Sequence, residues 1–462
     1  MPMTMLLRHR IVPELVALWL VEMLSLILAL LTLQALGIWH GLQPGGAGAL
    51  ATGAQQLNQA IIIACVFGFI SLSVGLYRID ICADCRRLVV ATLLAALSSG
   101  IVIHLFTPLL TDGGQPQLAQ DAIPPLLWLI CTLLSRALLN TVLRQRLLGR
   151  PVLLVGDPAR GARLIRAIQD LDNGQFAIPP GNLLAISSTP PFPTPPYPTA
   201  AHLRAQRIWA VIQAADTLDP QLAQLCRQSG IRLFDDRGFW ERRLGRIDLA
   251  DAEPAWFVPT RPGVFSMLDA AFRRCADIGT SLLLLAFTLP VLALTALAIR
   301  LDSPGPVLYR QIRVGLHGRP FTVLKFRSMR LDAEAGGTAI WASQDDPRAT
   351  RVGGFIRRTR IDELPQLFNV LRGEMGFIGP RPERPAFVAE LSAAIPLYSY
   401  RACVKPGITG WAQVSYRYGA SVEDARQKLS YDLYYIKYRS LLLDLLILLA
   451  TIRVILFGEG AR

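Results

Sequence analysis

The sequence predicts a membrane protein that joins α-helical and α/β parts in one chain. Of its 462 residues 52% are hydrophobic, which is too apolar for an ordinary soluble protein. Apolar runs of about 20 residues open the chain, and alternating strand-like and helix-like segments follow from residue 150. A further apolar run leads into a C-terminal region rich in charged motifs, so the pattern indicates about three structural units.

The N-terminal apolar runs cover residues 11–37, 60–77, 88–110 and 122–143. Each is near the length that a helix needs to cross the hydrocarbon layer. Arginines precede the first run, separate the second from the third and follow the fourth, whereas residues 38–59 and 111–121 contain no Lys or Arg. Because positively charged loops stay in the cytoplasm, residues 1–149 are expected to form a four-helix transmembrane bundle with both ends cytoplasmic. A cleaved signal peptide is disfavoured, since three more apolar runs follow the first.

Residues 150–262 have the pattern of a cytoplasmic α/β domain with its linker. Val152 to Val155 is a buried-strand pattern, and an Arg-rich amphipathic helix follows it. Further strand-like runs are Leu183 to Ile186, Ile208 to Ile212 and Ile231 to Phe234. The turn Gly156-Asp157-Pro158-Ala159-Arg160-Gly161 carries Pro where the dinucleotide fingerprint requires its second Gly. We therefore predict a Rossmann-like domain with a structural or regulatory role, and cofactor binding is the less favoured alternative.

The apolar run Ile278 to Ile299 is long enough to cross a membrane but has arginines at both ends. Pro290 lies near its middle, where the missing N–H and the ring would bend a helix. These features predict a re-entrant helix hairpin at residues 278–299 that enters the membrane and returns, with Pro290 at the break. A Pro-kinked spanning helix is the alternative.

Charge and residue usage narrow the chemistry. The net charge of +13 comes without any nucleic-acid-binding motif, so membrane lipid and phosphorylated substrates are the expected partners, and nucleic acid is not. Cys82 and Cys85 form a CxxC pair without a second pair to complete a zinc site. Since no His lies between residues 318 and 462, chemistry in that region must use carboxylates and cations.

Several short strings follow the Pro-containing run in a fixed order. They are Ser303-Pro304-Gly305-Pro306-Val307, Lys325-Phe326-Arg327-Ser328-Met329, Arg358-Thr359-Arg360-Ile361-Asp362-Glu363-Leu364-Pro365-Gln366, Gly379-Pro380-Arg381-Pro382-Glu383, Lys405-Pro406-Gly407-Ile408-Thr409-Gly410-Trp411-Ala412-Gln413 and Tyr431-Asp432-Leu433-Tyr434-Tyr435. In this order and spacing they resemble the bacterial sugar transferase family of monotopic phosphoglycosyl transferases, over about residues 265–462. The preceding helices and Rossmann-like insert resemble its large form, the polyprenyl-phosphate hexose-1-phosphate transferases.

The resemblance implies a function and a location. Residues 263–462 would form a monotopic catalytic domain that transfers a hexose 1-phosphate, with glucose favoured, from a UDP-sugar to undecaprenyl phosphate. The implied products are UMP and undecaprenyl-diphosphate-sugar, in the first membrane step of exopolysaccharide or capsule synthesis. The implied location is the bacterial inner membrane, with a multi-pass topology and the active site on the cytoplasmic face. Asp362 would attack the β-phosphate to form a covalent phosphosugar-enzyme, and Glu363 would bind metal or handle protons.

The residues around position 362 support that chemistry independently. Phosphoryl transfer needs positioning, cations and an in-line nucleophile, and adjacent Asp362 and Glu363 amid Arg357, Arg358 and Arg360 supply these groups. Mg²⁺ is the expected metal, with Asp362 and Glu363 as ligands, because it is held by one or two carboxylates together with substrate phosphates. The alternative is an N-terminal helix signal ahead of Pro365, which is compatible with catalysis because helix N-termini also bind phosphate.

Further substrate-binding residues are predicted along the motifs: Lys325, Arg327, Arg358, Arg381, Glu383, Lys405, Gln413 and Asp432. Arg381 would present a fixed fork to phosphate oxygens, and Lys325 a point charge to the diphosphate. A surface turn arginine, a solvated strand lysine and a structural salt bridge are the alternatives for Arg381, Lys325 and Asp432 respectively. In the Lys405 to Gln413 segment, Trp411 is expected to pack on a base or on the membrane.

Other functions compete with this interpretation. Membrane-anchored nucleotide-sugar dehydratases also pair four helices with a Rossmann-like domain, but they need a GxGxxG and a Tyr-x-x-x-Lys pair, and the sequence contains neither. A non-catalytic scaffold or regulator of polysaccharide assembly stays open, and so does pairing into a homodimer. The apolar run 441–457 carries Asp444 and Arg453, which favours the membrane interface or packing on the bundle over a spanning helix.

Overall fold

The computed structural model describes residues 13–39, 53–77, 81–82, 85–110, 118–147, 149–170, 176–178, 183–185, 199–257, 264–330, 348–416, 419 and 421–457. The chain divides into two compact units, Met1–Leu244 and Gly245–Arg462. Arg8, Arg10 and Arg78, which contribute to the predicted topology, lie outside the described residues. That topology stays a prediction.

Helices and short strands alternate along the chain. The α-helices are α1 Pro13–Ala35, α2 Gly53–Val74, α3 Cys85–Leu110, α4 Leu118–Asp121, α5 Ile123–Leu147, α6 Pro158–Gln169, α7 Ala200–Ala205, α8 Pro220–Ser229, α9 Asp236–Phe239, α10 Val264–Asp302, α11 Arg351–Arg358, α12 Gln366–Arg372, α13 Pro385–Ala394, α14 Trp411–Ser415, α15 Val422–Tyr438 and α16 Leu441–Phe457. The strands are β1 Arg150–Gly156, β2 Phe176–Ala177, β3 Leu183–Ala185, β4 Ala210–Ala214, β5 Arg232–Asp235, β6 Leu308–Val314, β7 Pro320–Phe326, β8 Gly376–Ile378 and β9 Gly407–Thr409. A π-helix covers Trp240–Leu244, and 3₁₀ turns cover Pro254–Phe257, Leu316–Gly318, Ile361–Glu363 and Tyr398–Cys403.

Helices α1, α2, α3 and α5 pack around one apolar core. Phe67 and Trp128 meet in this core, with their ring centroids 5.7 Å apart. By length and composition α1, α2 and α3 could each cross a membrane, and the apolar stretch of α5, Ile123–Leu138, is shorter. Many large apolar side chains on the outside of these helices are exposed, which suits contact with lipid.

A charged cluster lies inside this apolar bundle. Glu22 of α1 is fully buried and accepts hydrogen bonds from Tyr77 Oη (2.5 Å), Ser135 Oγ (2.7 Å) and Arg136 Nε (3.0 Å). Arg136 of α5 also donates from Nη1 to Cys82 Sγ at 2.9 Å. Because a buried charge is tolerated only when it is paired and hydrogen-bonded, this cluster ties α1 and α5 to the segment between α2 and α3.

Residues from 150 onward form the predicted α/β arrangement as a parallel sheet with the strand order β2-β1-β4-β5, and β3 also pairs with β1. Apolar cores cover both faces of the sheet. Gly156 ends β1 at φ 127°, and a Cβ there would lie 2.3 Å from Ala214 O, so the position requires glycine. Asp157 then caps α6 by accepting from Ala159 N at 3.0 Å. The finer Rossmann-like assignment stays a prediction.

The second unit begins earlier than the predicted boundary between residues 262 and 263. Ile247 N donates to Ser430 O at 3.1 Å, and Trp411 Nε1 donates to Gly245 O at 2.7 Å. Phe257 joins the same core as residues of α14, α15 and α16. The linker portion of the predicted 150–262 segment therefore packs as part of the second unit.

Helix α10 is continuous from Val264 to Asp302, with Pro290 inside it. It is long and apolar enough to cross a membrane, and only 11% of its most apolar stretch is buried. Near its start, Arg274 donates to the carbonyls of Val370 and Leu371 at 2.6 and 2.7 Å. Near its end, Ile299 joins a core in the same unit. The return path of the predicted hairpin stays a prediction.

Candidate active site

The Asp362-Glu363 pair lies on a tight turn between two helices. Helix α11 packs closely on the chain after β7, since a Cβ on Gly353 would lie 1.9 Å from Ser328 O. After α11 ends, Arg360 adopts a left-handed conformation (φ 60°), and the 3₁₀ turn Ile361–Glu363 follows. This reversal places both carboxyl side chains in the interior, where they are 8% and 9% exposed. A left-handed arginine is uncommon, so Arg360 is a strained position directly before the carboxyl pair in sequence.

Glu363 is held by two cations from other elements. Lys325 of β7 donates from Nζ to Glu363 Oε1 at 2.9 Å. Arg381, in the loop after β8, donates from Nη2 to Oε1 at 2.5 Å and from Nη1 to Oε2 at 3.3 Å. Burial opposes ionisation of Glu363, but the charges of Arg381 and Lys325 outweigh it and hold the Glu363 pKa well below its usual range. The structure thus brings together four predicted site residues: Lys325, Asp362, Glu363 and Arg381.

Asp362 differs from its neighbour. Its Oδ1 atom is buried and has no hydrogen-bond partner among the described residues. Burial and the adjacent Glu363 charge raise its pKa to about 6, although Lys325, Arg360 and Arg381 act in the opposite direction. The pair therefore combines a fixed carboxylate with a second carboxyl group that titrates near neutrality and has an oxygen unused by the protein. A perturbed group of this kind is typical of a reactive site.

The backbone that carries Arg381 is tightly packed. Strands β8 and β9 pair in parallel, Gly379 N donates to Thr409 O at 2.9 Å, and Gly407 N donates to Pro380 O at 3.0 Å. A Cβ on Gly379 would lie 2.3 Å from Lys405 O, so the two segments touch through backbone alone. Glycine is needed here for close approach rather than for an unusual angle.

Arg401 is a site residue that sequence reasoning missed. It donates to Arg381 O at 3.0 Å and to the buried Asp432 Oδ2 at 2.7 Å. It also donates to Tyr398 Oη at 2.7 Å. Because Asp432 lies in α15, the contacts of Arg401 hold the Arg381 loop against that helix. Asp432 is thus connected to the site through Arg401. This contact is a structural ion pair, which was the alternative interpretation of Asp432 from the sequence. Arg401 lies in none of the recognised strings, and only its position in the tertiary structure reveals its role.

Glu383 is also held by a cation that the sequence did not single out. Arg313 of β6 donates from Nη1 to Pro382 O at 3.1 Å and to Glu383 Oε2 at 3.4 Å. Val314 N donates to Glu383 O at 2.9 Å. Strand β6 therefore holds the segment that directly follows Arg381.

Arg327 and Arg358 occupy different environments. Arg327 is buried and donates to the carbonyls of Pro304 and Ser303 at 2.8 and 2.7 Å, which fixes the turn after α10. Arg358 is exposed at the end of α11, and its Nε donates to Gly354 O at 3.3 Å. The contacts of Arg327 are thus structural, and a substrate role for either arginine stays a prediction.

The Lys405 to Gln413 segment is divided between the interior and a second cluster of charges. Lys405 lies near Asp277, Arg274 and Arg439, and burial lowers its pKa. Gln413 donates to Ile408 O at 3.2 Å, and its Oε1 is buried without a hydrogen-bond partner among the described residues. Trp411 does not face a base or the membrane as expected, because it is 4% exposed and stacks on Tyr434 within the core.

The side chains of the site offer few ligands for a divalent cation. Within the described residues there is no group of three or more His, Cys, Asp or Glu side chains that could hold a metal ion. Glu363 is committed to Lys325 and Arg381, whereas Asp362 Oδ1 has a free lone pair. One available carboxylate fits an ion that takes most of its ligands from water and substrate phosphates, which is the behaviour of Mg²⁺.

The unit that holds this site is similar to known proteins. The model of the bacterial sugar transferase family matches residues 268–458. The chain belongs to this family, which confirms the resemblance in its motifs.

Among similar proteins, the UDP-N-acetylgalactosamine-undecaprenyl-phosphate N-acetylgalactosaminephosphotransferase of Aeromonas hydrophila is 50% identical over 197 residues, 43% of this chain and 46% of that protein. The undecaprenyl-phosphate glucose phosphotransferase of Komagataeibacter xylinus is 47% identical over 198 residues, 42% of this chain and 37% of that protein. The UDP-glucose:undecaprenyl-phosphate glucose-1-phosphate transferase of Caulobacter vibrioides is 46% identical over 191 residues, 41% of this chain and 71% of that protein. The match thus spans less than half the length of the first two relatives.

Proposed function

We propose that this protein transfers a hexose 1-phosphate, with glucose as the favoured hexose, from a UDP-sugar to undecaprenyl phosphate and releases UMP. The relatives named above act on undecaprenyl phosphate, and their names divide between glucose and N-acetylgalactosamine. The observation that carries the proposal is the buried Asp362 oxygen without a protein partner, next to a carboxylate that two cations hold ionised.

The first half of the reaction uses Asp362 as the nucleophile. A carboxylate oxygen of Asp362 attacks the β-phosphorus of the UDP-sugar and forms a P–O bond. The bond from that phosphorus to the oxygen bridging the two phosphates breaks, and UMP leaves with the bridging oxygen. The product on the protein is an aspartyl-phosphosugar. With a pKa of about 6, Asp362 is mostly ionised at neutral pH and is ready to attack.

In the second half, the lipid acceptor resolves the intermediate. A phosphate oxygen of undecaprenyl phosphate attacks the same phosphorus, the aspartyl P–O bond breaks, and the Asp362 carboxylate is regenerated. Lys325 and Arg381 lie beside the carboxyl pair, where their positive charges would stabilise the phosphoryl oxygens in both steps. Arg401 acts as a positioning residue by holding the backbone carbonyl of Arg381.

Mg²⁺ is part of the proposal. Asp362, with its free Oδ1, is the residue best placed to hold the ion together with the substrate diphosphate, and Glu363 would balance the adjacent cations. When bound, Mg²⁺ would neutralise charge on the diphosphate and favour departure of UMP.

We propose that the site works at the cytoplasmic surface of a bacterial inner membrane, as part of exopolysaccharide or capsule synthesis. Exposed apolar side chains run along the whole of α10, including Phe272, Phe287 and Leu301. Both halves of this helix pack on other elements of the second unit, which supports a bend at Pro290 and a re-entrant path. This placement would let a soluble nucleotide-sugar and a lipid phosphate reach the same carboxylate.

The test is UMP release by the full chain in detergent or nanodiscs with Mg²⁺ and undecaprenyl phosphate, over a panel that includes UDP-glucose and UDP-N-acetylgalactosamine. Asp362→Asn is expected to abolish release, and radiolabelled sugar phosphate should remain on the wild-type protein when the acceptor is omitted. Wild-type turnover by Asp362→Asn would disprove the nucleophile assignment. Inactivity of the folded wild-type protein across the whole panel would instead favour a non-catalytic scaffold.

A further inference from the structure

One edge of the parallel sheet in the first unit gathers arginines around a tryptophan. Strands β1, β4 and β5 are parallel, so their N-terminal ends lie side by side. The edge of the sheet formed by these strand starts is the basic edge. Arg150 opens β1, Arg232 opens β5, and Trp209 directly precedes β4. The guanidinium carbons of Arg150, Arg232 and Arg243 lie 5.1, 5.0 and 5.3 Å from the centroid of the Trp209 ring.

Helices add positive charge to the same edge. Since α6, α7 and α8 lead from the far edge back to the start of the next strand, their C-terminal ends lie at the basic edge. The exposed arginines in or just after these last turns are Arg166, Arg204, Arg207 and Arg227. Asp170 follows Arg166 by four positions and Glu241 precedes Arg243 by two, whereas Asp235, three positions after Arg232, lies at the opposite end of β5. The arginines at the basic edge therefore outnumber the acidic residues close to them in sequence.

The opposite edge is acidic. Asp157 follows β1, Asp216 follows β4, and Asp235 ends β5. Arginines at that edge are paired, as in the contacts of Arg160 with Asp216 (2.8 Å) and Arg242 with Asp235 (3.0 Å). Helix capping accounts for some of these acids, but it does not account for Arg150 and Arg232, which begin strands. Positive charge is therefore concentrated at one edge of the sheet.

The chain ties this edge closely to the end of helix α5. Helix α5 ends at Leu147 and β1 begins at Arg150, so about 11 Å of extended chain is the greatest separation between them. Arginines near a bilayer attract anionic headgroups, and tryptophan favours the boundary between apolar and aqueous phases. The basic edge combines both residue types within that short distance of the bundle.

We propose that the basic edge binds anionic phospholipid headgroups in the leaflet at which α5 ends. The exposed arginines attract the headgroup phosphates, and the cluster around Trp209 forms the fixed part of the contact. This contact holds the α/β domain against the membrane surface. It is independent of the catalytic proposal, because it uses no residue of the second unit.

The test uses the full chain in nanodiscs of phosphatidylcholine with phosphatidylglycerol as the minor lipid. Benzoylphenylalanine replaces exposed Gln228 beside the basic edge or, in a separate protein, exposed Leu218 at the acidic edge, and lipid crosslinks are identified by mass spectrometry after irradiation. At position 228, phosphatidylglycerol should be enriched roughly five-fold or more over its share of the lipid, since even one basic residue near the surface favours anionic lipid by about that factor. Position 218 should give few lipid crosslinks.

Paired substitutions separate a specific contact from a general charge effect. Arg204→Gln with Arg232→Gln should lower the phosphatidylglycerol enrichment at position 228 several-fold. Arg237→Gln with Arg242→Gln removes the same charge at the acidic edge and should leave the enrichment unchanged. Equal crosslinking to both lipids in the wild type, crosslinks to protein or copurified nucleic acid instead of lipid, or equal effects of the two pairs would overturn the proposal.

Discussion

Arg381 contacts both carboxylate oxygens of Glu363, at 2.5 and 3.3 Å, whereas the adjacent Asp362 keeps a buried oxygen without a protein partner. Two neighbouring carboxyl groups thereby acquire opposite pKa shifts. Glu363 stays ionised to balance Arg381 and Lys325, and Asp362 titrates at a pKa of about 6. This division of roles leads to predictions about stability, pH and charge that do not depend on knowing the sugar.

Asp362→Asn is expected to stabilise the fold at pH 7.5. The folded-state pKa of about 6 exceeds the ordinary value of 3.8, so the native protein binds this proton more tightly, and stability falls as pH rises through that window. The amide removes this unfavourable ionisation. Thermal unfolding of both proteins in the same detergent should show a higher Tm for the variant at pH 7.5, and the difference should shrink towards pH 4. A lower Tm at pH 7.5 would mean that the Asp362 charge supports the fold.

The pH profile of kcat/KM should report Asp362. Because the nucleophile must be ionised, log kcat/KM should be level above pH 7 and should fall with decreasing pH below about 6. The Arg360 charge lowers this pKa, so Arg360→Gln should move the inflection to higher pH. Arg319→Gln, at an exposed site on the β6–β7 hairpin, serves as the control and should leave the profile unchanged. If Arg360→Gln leaves the inflection at the same pH, the group that titrates in the profile is not Asp362.

Arg381→Lys should lower kcat about 100-fold. Lysine keeps the charge but cannot contact both Glu363 oxygens, and the loss of one preorganised donor at a phosphoryl site costs on the order of 100-fold. Steady-state UMP release measures the effect, and Arg372→Lys, at an exposed position in α12, is the matched control. Near wild-type kcat would show that a point charge suffices at position 381.

Glu22→Ala should destabilise the N-terminal bundle by about 3 to 5 kcal/mol, because it leaves the buried Arg136 charge uncompensated. Leu24→Ala removes an exposed apolar side chain from the same helix and should cost far less. Thermal unfolding in detergent, followed by the fluorescence of bundle tryptophans, compares the two variants. Equal losses would place the Glu22–Arg136 pair outside the interactions that hold these helices together.

Much of the architecture follows from local patterns. Hydrophobic runs near membrane-spanning length predicted the bundle, and strand-like runs predicted the parallel α/β region, because both signals depend on residues close together in sequence. The order of the short strings was enough to indicate the family, and the adjacent Asp362 and Glu363 stood out as a candidate reactive pair.

The tertiary structure alone decided how those side chains differ. Lys325, Arg381 and Arg401 come from three separate segments, and no local pattern shows that they converge on the carboxyl pair or its supporting loop. The pKa of Asp362 depends on burial and on the distances to these charges, which are properties of the packed fold. Trp411 gave an ambiguous signal for the same reason, since an aromatic residue beside two glycines suits either a binding surface or a core until its neighbours are known.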